Sequence, residues 1–84
     1  MALSDAETYE KYAEELTRFA TLLVGPDGAA DAVASAVAAA LGTPGWNSVE
    51  NRRAYLYRAV VNAVRMEARR NRRREQYERR VAFQ

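Results

Sequence analysis

Apolar residues recur every three or four positions along three separate stretches of the chain, which is the spacing of an amphipathic α-helix. Between the stretches lie two short clusters, GPDG at 25–28 and GTPG at 42–45, which hold all four glycines and both prolines. Such clusters end helices and form turns, and nothing after Gly45 has that effect. The pattern therefore predicts a compact all-α domain of three helices joined by two turns.

The first helix is predicted to begin at Ser4, because SDAE has the Ser-x-x-Glu pattern of a capping box in which Glu7 reaches back. Gly25 is predicted to close this helix, and Asp27 is predicted to cap the next one. The apolar positions that recur at three and four residues define a predicted buried stripe: Tyr9, Tyr12, Ala13, Leu16, Phe19, Ala20 and Leu23.

The second helix, predicted over about residues 28–41, is apolar nearly all round, which is typical of a helix that is covered on both sides. Its predicted core-facing stripe is Ala32, Val33, Ala36, Val37, Ala40 and Leu41, and the opposite side carries Asp31, Ala34, Ser35, Ala38 and Ala39. Two interpretations of the alanines stay open. Either they raise helix propensity on a solvated surface, or a face of small residues lets another helix approach closely.

The third helix is predicted from Ser48 through Arg70 or further, and it carries two different faces. The inward stripe is Leu56, Ala59, Val60 and Ala63, supported by Tyr57 and Val64. The other face is Tyr55, Arg58, Asn62, Arg65 and Arg69, which advance by three, four, three and four residues. Tyr57 is expected inside the domain and Tyr55 on the polar face, because the two do not share a side of the helix.

Length and composition narrow the chemistry that the chain can perform. A chain of 84 residues allows one domain, 1–84, with a basic tail from about residue 70. It has neither cysteine nor histidine, so thiolate metal sites and the commonest general base are missing. No enzymatic activity, metal or cofactor is therefore expected. No membrane-spanning stretch or signal-peptide pattern is present, and the cytoplasm is the expected compartment.

Charge divides the chain into an acidic and a basic half. Residues 1–50 hold two basic and eight acidic residues, whereas residues 51–84 hold eleven arginines and three glutamates, giving formal charges of −6 and +8. This asymmetry predicts a polyanionic partner or two different partners. Arginine in particular suits planar contacts with phosphates and bases.

The polar face of the third helix carries the side-chain types that recognise nucleic acid. Arginines contact phosphates, the Asn62 amide can pair with a base edge, and Tyr55 offers a stacking surface. The arginine block from Arg69 onward would follow a phosphate backbone and make binding salt-dependent. The alternative interpretation is a solvated face on which Asn62 makes only a local hydrogen bond.

The third helix resembles region 2 of bacterial RNA polymerase sigma factors of the extracytoplasmic-function group. That family has an aromatic-Leu-Tyr-Arg-x-x-x-Asn run followed by a basic tail, and AYLYRAVVNAVRMEARR is similar to it. Upstream, AADAVASAV at 29–37 and LTRFATLLVGPD are similar to the preceding family helices. The resemblance covers about residues 9–74 and is most specific in the third helix.

The resemblance implies a promoter-recognition domain with a sigma region 2-like fold. The second helix would dock on the clamp helices of the polymerase largest subunit, and the implied contacts are Asp31, Ala34, Ser35 and Ala38. The third helix and the loop 42–49 would capture the non-template strand of the minus-ten element and flip a base into a loop pocket. The implied DNA-binding residues are Trp46, Asn47, Arg52, Tyr55, Arg58, Asn62, Arg65, Arg69, Arg70 and Arg73.

Some positions differ from the family pattern and leave alternatives. Ala34 and Ser35 replace a glutamine and an acidic residue, Met66 replaces an aspartate, and no helix-turn-helix domain is expected within the basic tail. Trp46 has a second interpretation, as a residue that plugs the end of the core. Two other functions also stay open: a helical module that binds an anti-sigma protein or a copy of itself, and an RNA-binding helical domain.

Overall fold

A computed structural model describes residues 3–84, which form three α-helices and one short 3₁₀ turn. Helix α1 spans Asp5–Val24, α2 spans Pro26–Leu41 and α3 spans Arg52–Ala82, with the 3₁₀ turn at Trp46–Ser48. The predicted all-α arrangement of three helices is confirmed. The molecule measures 59 × 27 × 18 Å, because α3 extends well beyond the other two helices. Within residues 3–84, none of the helices has the length and apolarity needed to cross a membrane.

Helix α1 begins with the predicted capping box. The Glu7 backbone N–H donates to Ser4 Oγ and the Ser4 N–H donates to Glu7 Oε1, each at 3.2 Å. These two bonds satisfy donors that the first turn of a helix leaves without partners. Hydrogen bonding to the Ser4 side chain and backbone also lowers the pKa of the exposed Glu7 carboxyl from its usual value.

The buried stripe of α1 differs from the predicted one at both ends. Thr8, Tyr12, Leu16 and Ala20 are buried, so the stripe advances by four residues at each step. Tyr9 and Leu23 are instead 44% and 46% exposed, and their predicted burial was wrong. Thr8 can enter the core because its hydroxyl donates to the Ser4 carbonyl oxygen at 2.9 Å, which leaves no polar group unpaired.

Helix α2 begins two residues earlier than the prediction, and Asp27 is not its cap. Gly25 is the cap residue, with φ at 81°, and Pro26 occupies the first position of the helix. Proline fits there because its fixed φ is helical and its missing N–H would have had no partner. Asp27 lies in the first turn, where its negative charge interacts favourably with the positive end of the helix dipole.

Small residues on α2 let the three helices pack closely. Ala29, Val33, Ala36, Val37 and Ala40 are buried, whereas the predicted core residues Ala32 and Leu41 are only half-buried. Their contacts on the neighbouring helices include Leu16 of α1 and Leu56 and Val60 of α3, which are fully buried. The core is therefore a small, mainly aliphatic cluster with α2 in its centre, and Tyr12 and Trp46 are its aromatic members.

Helix α3 starts later and runs further than the predicted minimum. Asn51 caps it by accepting a hydrogen bond from the Ala54 N–H at 3.0 Å, so the predicted start at Ser48 was wrong. Ser48 belongs to the 3₁₀ turn instead. Beyond Val64 the helix leaves the bundle, and every residue from 65 to 84 is exposed except the half-buried Asn71. We call residues 65–82 the arm.

Candidate nucleic-acid interface

The polar face of α3 is open to solvent along the length that the sequence predicted. Arg58, Asn62, Arg65 and Arg69 are exposed, and Tyr55 at the start of the line is half-buried. Among residues 3–84, no side chain or backbone group hydrogen-bonds to the Asn62 amide. The local hydrogen bond of the alternative interpretation is thus not formed, and the amide keeps its donors and acceptor for a ligand.

A groove of about 1040 Å³ runs between α2 and α3 beside this face. Asp31 and Ser35 lie on its α2 wall, and Arg58 and Asn62 lie on its α3 wall. Its lining also includes the alanines Ala36, Ala40, Ala59 and Ala63. Because these side chains are short, the two helices pack closely at the floor and leave the space above it open. The groove therefore brings together residues that the resemblance assigned to two different partners.

The end of the groove nearest the arm carries an exposed apolar patch beside Glu67, Arg70 and Asn71, and the sequence did not predict this patch. Leu23, Val24 and Met66 line it and are 46%, 41% and 52% exposed. The sequence could have placed Met66 there, because it follows Asn62 by one helical turn and therefore lies on the same side of α3. No such signal existed for Leu23, whose apolar spacing assigned it to the core.

The loop between α2 and α3 is built around a buried tryptophan. Gly45, with φ at 88°, turns the chain so that the Trp46 ring enters the end of the core, where the residue is 7% exposed. The Tyr55 ring meets it edge-on at 5.6 Å between centroids. The Arg52 guanidinium lies 5.1 Å from the same ring, within the range of a cation–π contact.

This packing decides between the two interpretations of Trp46. Its ring is covered and is not available to stack on a base, so the interpretation as a core plug holds and the pocket interpretation is corrected. Tyr55 is also partly engaged, since its hydroxyl lies 3.5 Å from Thr43 Oγ1. Asn47 is exposed beside them and is the loop residue that remains free for a ligand.

The side of α2 that the resemblance assigns to polymerase is an exposed stripe that borders the groove. Asp31, Ala34, Ser35 and Ala38 are all exposed, and they share one side of α2 because they occupy positions i, i+3, i+4 and i+7. Asp31 and Ser35 face both this stripe and the groove, whereas Ala34 and Ala38 lie outside the groove lining. The stripe presents one carboxylate and small side chains, which is a surface that another helix can approach closely.

A polar cluster ties α1 to the beginning of α3. The Tyr57 hydroxyl donates to Glu15 Oε2 at 3.0 Å, and Arg53 Nε donates to Glu15 Oε1 at 3.2 Å. The Tyr57 ring packs on Phe19 with centroids 4.7 Å apart, so this tyrosine faces α1, where it is half-buried rather than inside the domain as predicted. The hydrogen bond to Glu15 raises the pKa of the Tyr57 hydroxyl. The cluster adds contacts that hold this side of α3 against α1.

We expect Tyr57→Phe to lower the free energy of unfolding by about 1 kcal/mol at neutral pH, because it removes one hydrogen bond to a carboxylate. A raised pKa in the folded state means that this stabilisation is complete below the ordinary tyrosine pKa of about 10 and is lost at higher pH. The difference between variant and wild type in urea unfolding should therefore shrink above that pH. Tyr77→Phe is the control, since Tyr77 is 67% exposed on the arm. A pH-independent difference would contradict the assignment.

The arginines of the arm have few partners of their own. Arg70 pairs with Glu67 at 3.5 Å, and Arg74 donates to Asn71 Oδ1 at 2.8 Å. The other candidates on the arm, Arg65, Arg69 and Arg73, are exposed. Within residues 3–84 there is no group of three or more histidine, cysteine or acidic side chains that could hold a metal ion.

Comparisons of the chain with protein-family models, with curated proteins and with solved structures found no match.

Proposed function

We propose that this chain is the promoter-recognition domain of an RNA polymerase sigma factor of the extracytoplasmic-function group. In this proposal α2 docks on the clamp helices of the polymerase largest subunit. Helix α3 and the loop before it bind and help to melt the minus-ten promoter element through its non-template strand. These partners would place the protein in the cytoplasm.

One observation carries the proposal: the Asn62 amide is exposed and unpaired between two exposed arginines on α3. Arg58 and Arg65 lie one turn before and one turn after it, so phosphate contacts are available on both sides of a base contact. An exposed asparagine in this setting can form paired hydrogen bonds with a base edge. A strand that runs along α3 would thus be held by its backbone and read at one position.

A protein can open a duplex only if its contacts with the exposed base contribute more free energy than unstacking that base costs. Unstacking a base costs a few kcal/mol, whereas stacking on a side chain and new hydrogen bonds are available only to a base that has left the duplex. Tyr55 lines the loop end of the groove, where such a base would arrive, and the exposed Asn47 belongs to the loop that precedes α3. In this proposal Asn47 and Tyr55 would supply those interactions to the unpaired base, without any covalent step.

Docking on polymerase is assigned to the exposed stripe of α2. Its alanines allow a partner helix to approach closely, and Asp31 supplies a carboxylate for a basic side chain of that partner. This contact uses shape more than charge, because Ala34 and Ser35 stand where the family has larger polar groups. An isolated clamp-helix fragment should bind this chain, and Asp31→Ala should weaken that binding. The rival functions do not require such binding.

We expect Asn62→Ala to cost about 1–3 kcal/mol in affinity for single-stranded promoter-like DNA, at one base position only. The measurement is fluorescence anisotropy with a set of oligonucleotides in which each base is varied in turn. Asn71→Ala is the matched control, because Asn71 lies nine residues further along α3 and, unlike Asn62, already accepts a hydrogen bond from Arg74. An equal loss at every position, or the same loss in the control, would exclude base reading by Asn62.

A second candidate function is a helical protein-interaction module, and the groove is the observation that favours it. Its alanine floor and the exposed Leu23, Val24 and Met66 would suit the apolar face of a helix. An anti-sigma protein or a second copy of the chain could supply that helix. Sedimentation of the free protein tests the second copy, since a stable dimer would show self-association without nucleic acid or polymerase.

A further inference from the structure

The arm of α3 separates its charges into two sectors. Residues 65–84 contain eight arginines and three glutamates, a formal net charge of +5. At 3.6 residues per turn, the arginines fall within an arc of about 220° centred near Arg69, and the three glutamates fall in the remaining part of the circumference. The arginine sector comprises Arg65, Arg69, Arg70, Arg72, Arg73, Arg74, Arg79 and Arg80, and the acidic sector comprises Glu67, Glu75 and Glu78.

The breadth of the arginine sector indicates what kind of partner it fits. Arg72 and Arg79 form one flank of the sector, and Arg70 and Arg74 form the other, with Arg73 between them. A single strand or a partner helix lies along one side of a helix and reaches only one flank. Both flanks are reached together only by a partner that surrounds the arm on three sides.

We propose that the arm is a binding site for duplex DNA and lies in the major groove, with its two arginine flanks on the two phosphate walls. The major groove of B-form DNA is about 12 Å wide, and a helix with its side chains is about 10–12 Å across. From Arg65 to Arg80 the arm spans about 22 Å, which is less than one turn of the duplex. The acidic sector, repelled by the phosphates, faces outward and orients the helix in the groove.

The position of the arm makes it accessible for this role. Every residue from 65 to 84 except Asn71 is exposed, and the buried core contains no residue beyond Val60. The centre of the arginine sector continues the line of Arg58 and Asn62, so one face of one helix passes from the strand-reading site to the arm. A fork of duplex and single strand would therefore meet both sites at once. This placement deepens the proposed function, but duplex binding by the arm is testable without it.

Charge-matched variants of the full chain test the two flanks separately. One variant carries Arg72→Gln and Arg79→Gln, the other carries Arg70→Gln and Arg74→Gln, and the control carries Lys11→Gln and Arg18→Gln on the exposed side of α1. All three lose two positive charges. The probes are a 16-base-pair DNA duplex, an RNA duplex of the same sequence and polyglutamate, with affinity measured between about 50 and 400 mM salt. Circular dichroism checks that the helical content is retained.

Each flank variant should lower the salt slope for the DNA duplex by about 1.8, because each phosphate contact contributes about 0.9. We take 1 M salt as the concentration at which these contacts no longer contribute to binding. A slope change of about 1.8 then corresponds to about 60-fold weaker binding near 0.1 M salt. The control should change neither quantity substantially. The RNA duplex should bind more weakly than the DNA duplex, because its major groove is too narrow and deep for a helix.

Several outcomes would overturn the proposal. A loss from one flank variant alone would show binding on one side of the arm, and equal losses in the control would show a general charge effect. If the RNA duplex or polyglutamate bound as tightly as the DNA duplex, the arm would not lie in the DNA major groove. Base reading is measured with Asn62→Ala on single-stranded DNA and the arm site with the flank variants on the duplex, so a failure of base reading and a failure of the arm site are separate results.

Discussion

Replacing Trp46 with alanine is expected to lower the free energy of unfolding by about 3–5 kcal/mol, the cost of removing a large aromatic side chain from a core. The ring is 7% exposed at the end of the bundle. The substitution also removes the edge-on contact with Tyr55 and the cation–π contact with Arg52. Urea unfolding followed by circular dichroism measures the effect, because the chain has no other tryptophan to report it.

Asn47→Ala is the neighbouring control for this prediction. Asn47 is exposed and should change the free energy of unfolding by less than about 0.5 kcal/mol, as surface substitutions usually do. The pair of variants also tests the assignment of Trp46 to the core. If Trp46→Ala left stability intact and instead weakened single-strand binding at one base position, the tryptophan would be a ligand-binding residue and the packing assignment would be wrong.

Leu56→Ala is expected to lower the free energy of unfolding by about 2–5 kcal/mol. Leu56 is fully buried and packs in the cluster that joins α3 to α1 and α2. A domain of this size has roughly 4–13 kcal/mol of stability in total, so the variant should be partly unfolded at 37 °C if the wild type is near the lower limit. The residual cavity adds to the loss of apolar burial, since alanine side chains around it cannot extend to fill the space.

Leu22→Ala provides a comparison with the same change of side chain at an exposed position. Leu22 is 86% exposed near the end of α1, and we expect a change below about 0.5 kcal/mol. The comparison separates burial from helix propensity, because both variants replace leucine by alanine within a helix. Similar losses in the two variants would mean that α3 does not hold the core as the structure shows.

The polar face of α3 was predicted from spacing along one helix, and the predicted exposure of its arginines and of Asn62 is confirmed. Arg58, Asn62, Arg65 and Arg69 share a side because the α-helix has a regular period. The groove next to them could not be predicted in the same way. Asp31 and Ser35 approach Arg58 and Asn62 only because α2 packs on α3 in one particular orientation. That orientation depends on which alanines meet, and the apolar pattern of α2 allowed several choices.

The errors at the core have the same origin. Thr8 rather than Tyr9 is buried, although tyrosine is the more apolar residue, because the position of α1 against α2 selects the stripe that continues Tyr12 and Leu16. Thr8 can be buried there because its hydroxyl donates a hydrogen bond to the Ser4 carbonyl oxygen. The late start of α3 follows from the loop, where the burial of Trp46 and the 3₁₀ turn occupy the residues before Asn51.

The sequence by itself determined the number of helices, the turns between them, the capping box at Ser4 and the charged faces of α3 and its arm. These features arise from interactions among residues at most a few positions apart, so a short stretch of sequence contains their cause. The tertiary structure alone decided that Trp46 lies inside, that Tyr57 is tied to Glu15 and that α2 and α3 enclose a shared groove. Those features depend on contacts between distant segments, whose geometry is set only when the helices pack and exclude water together.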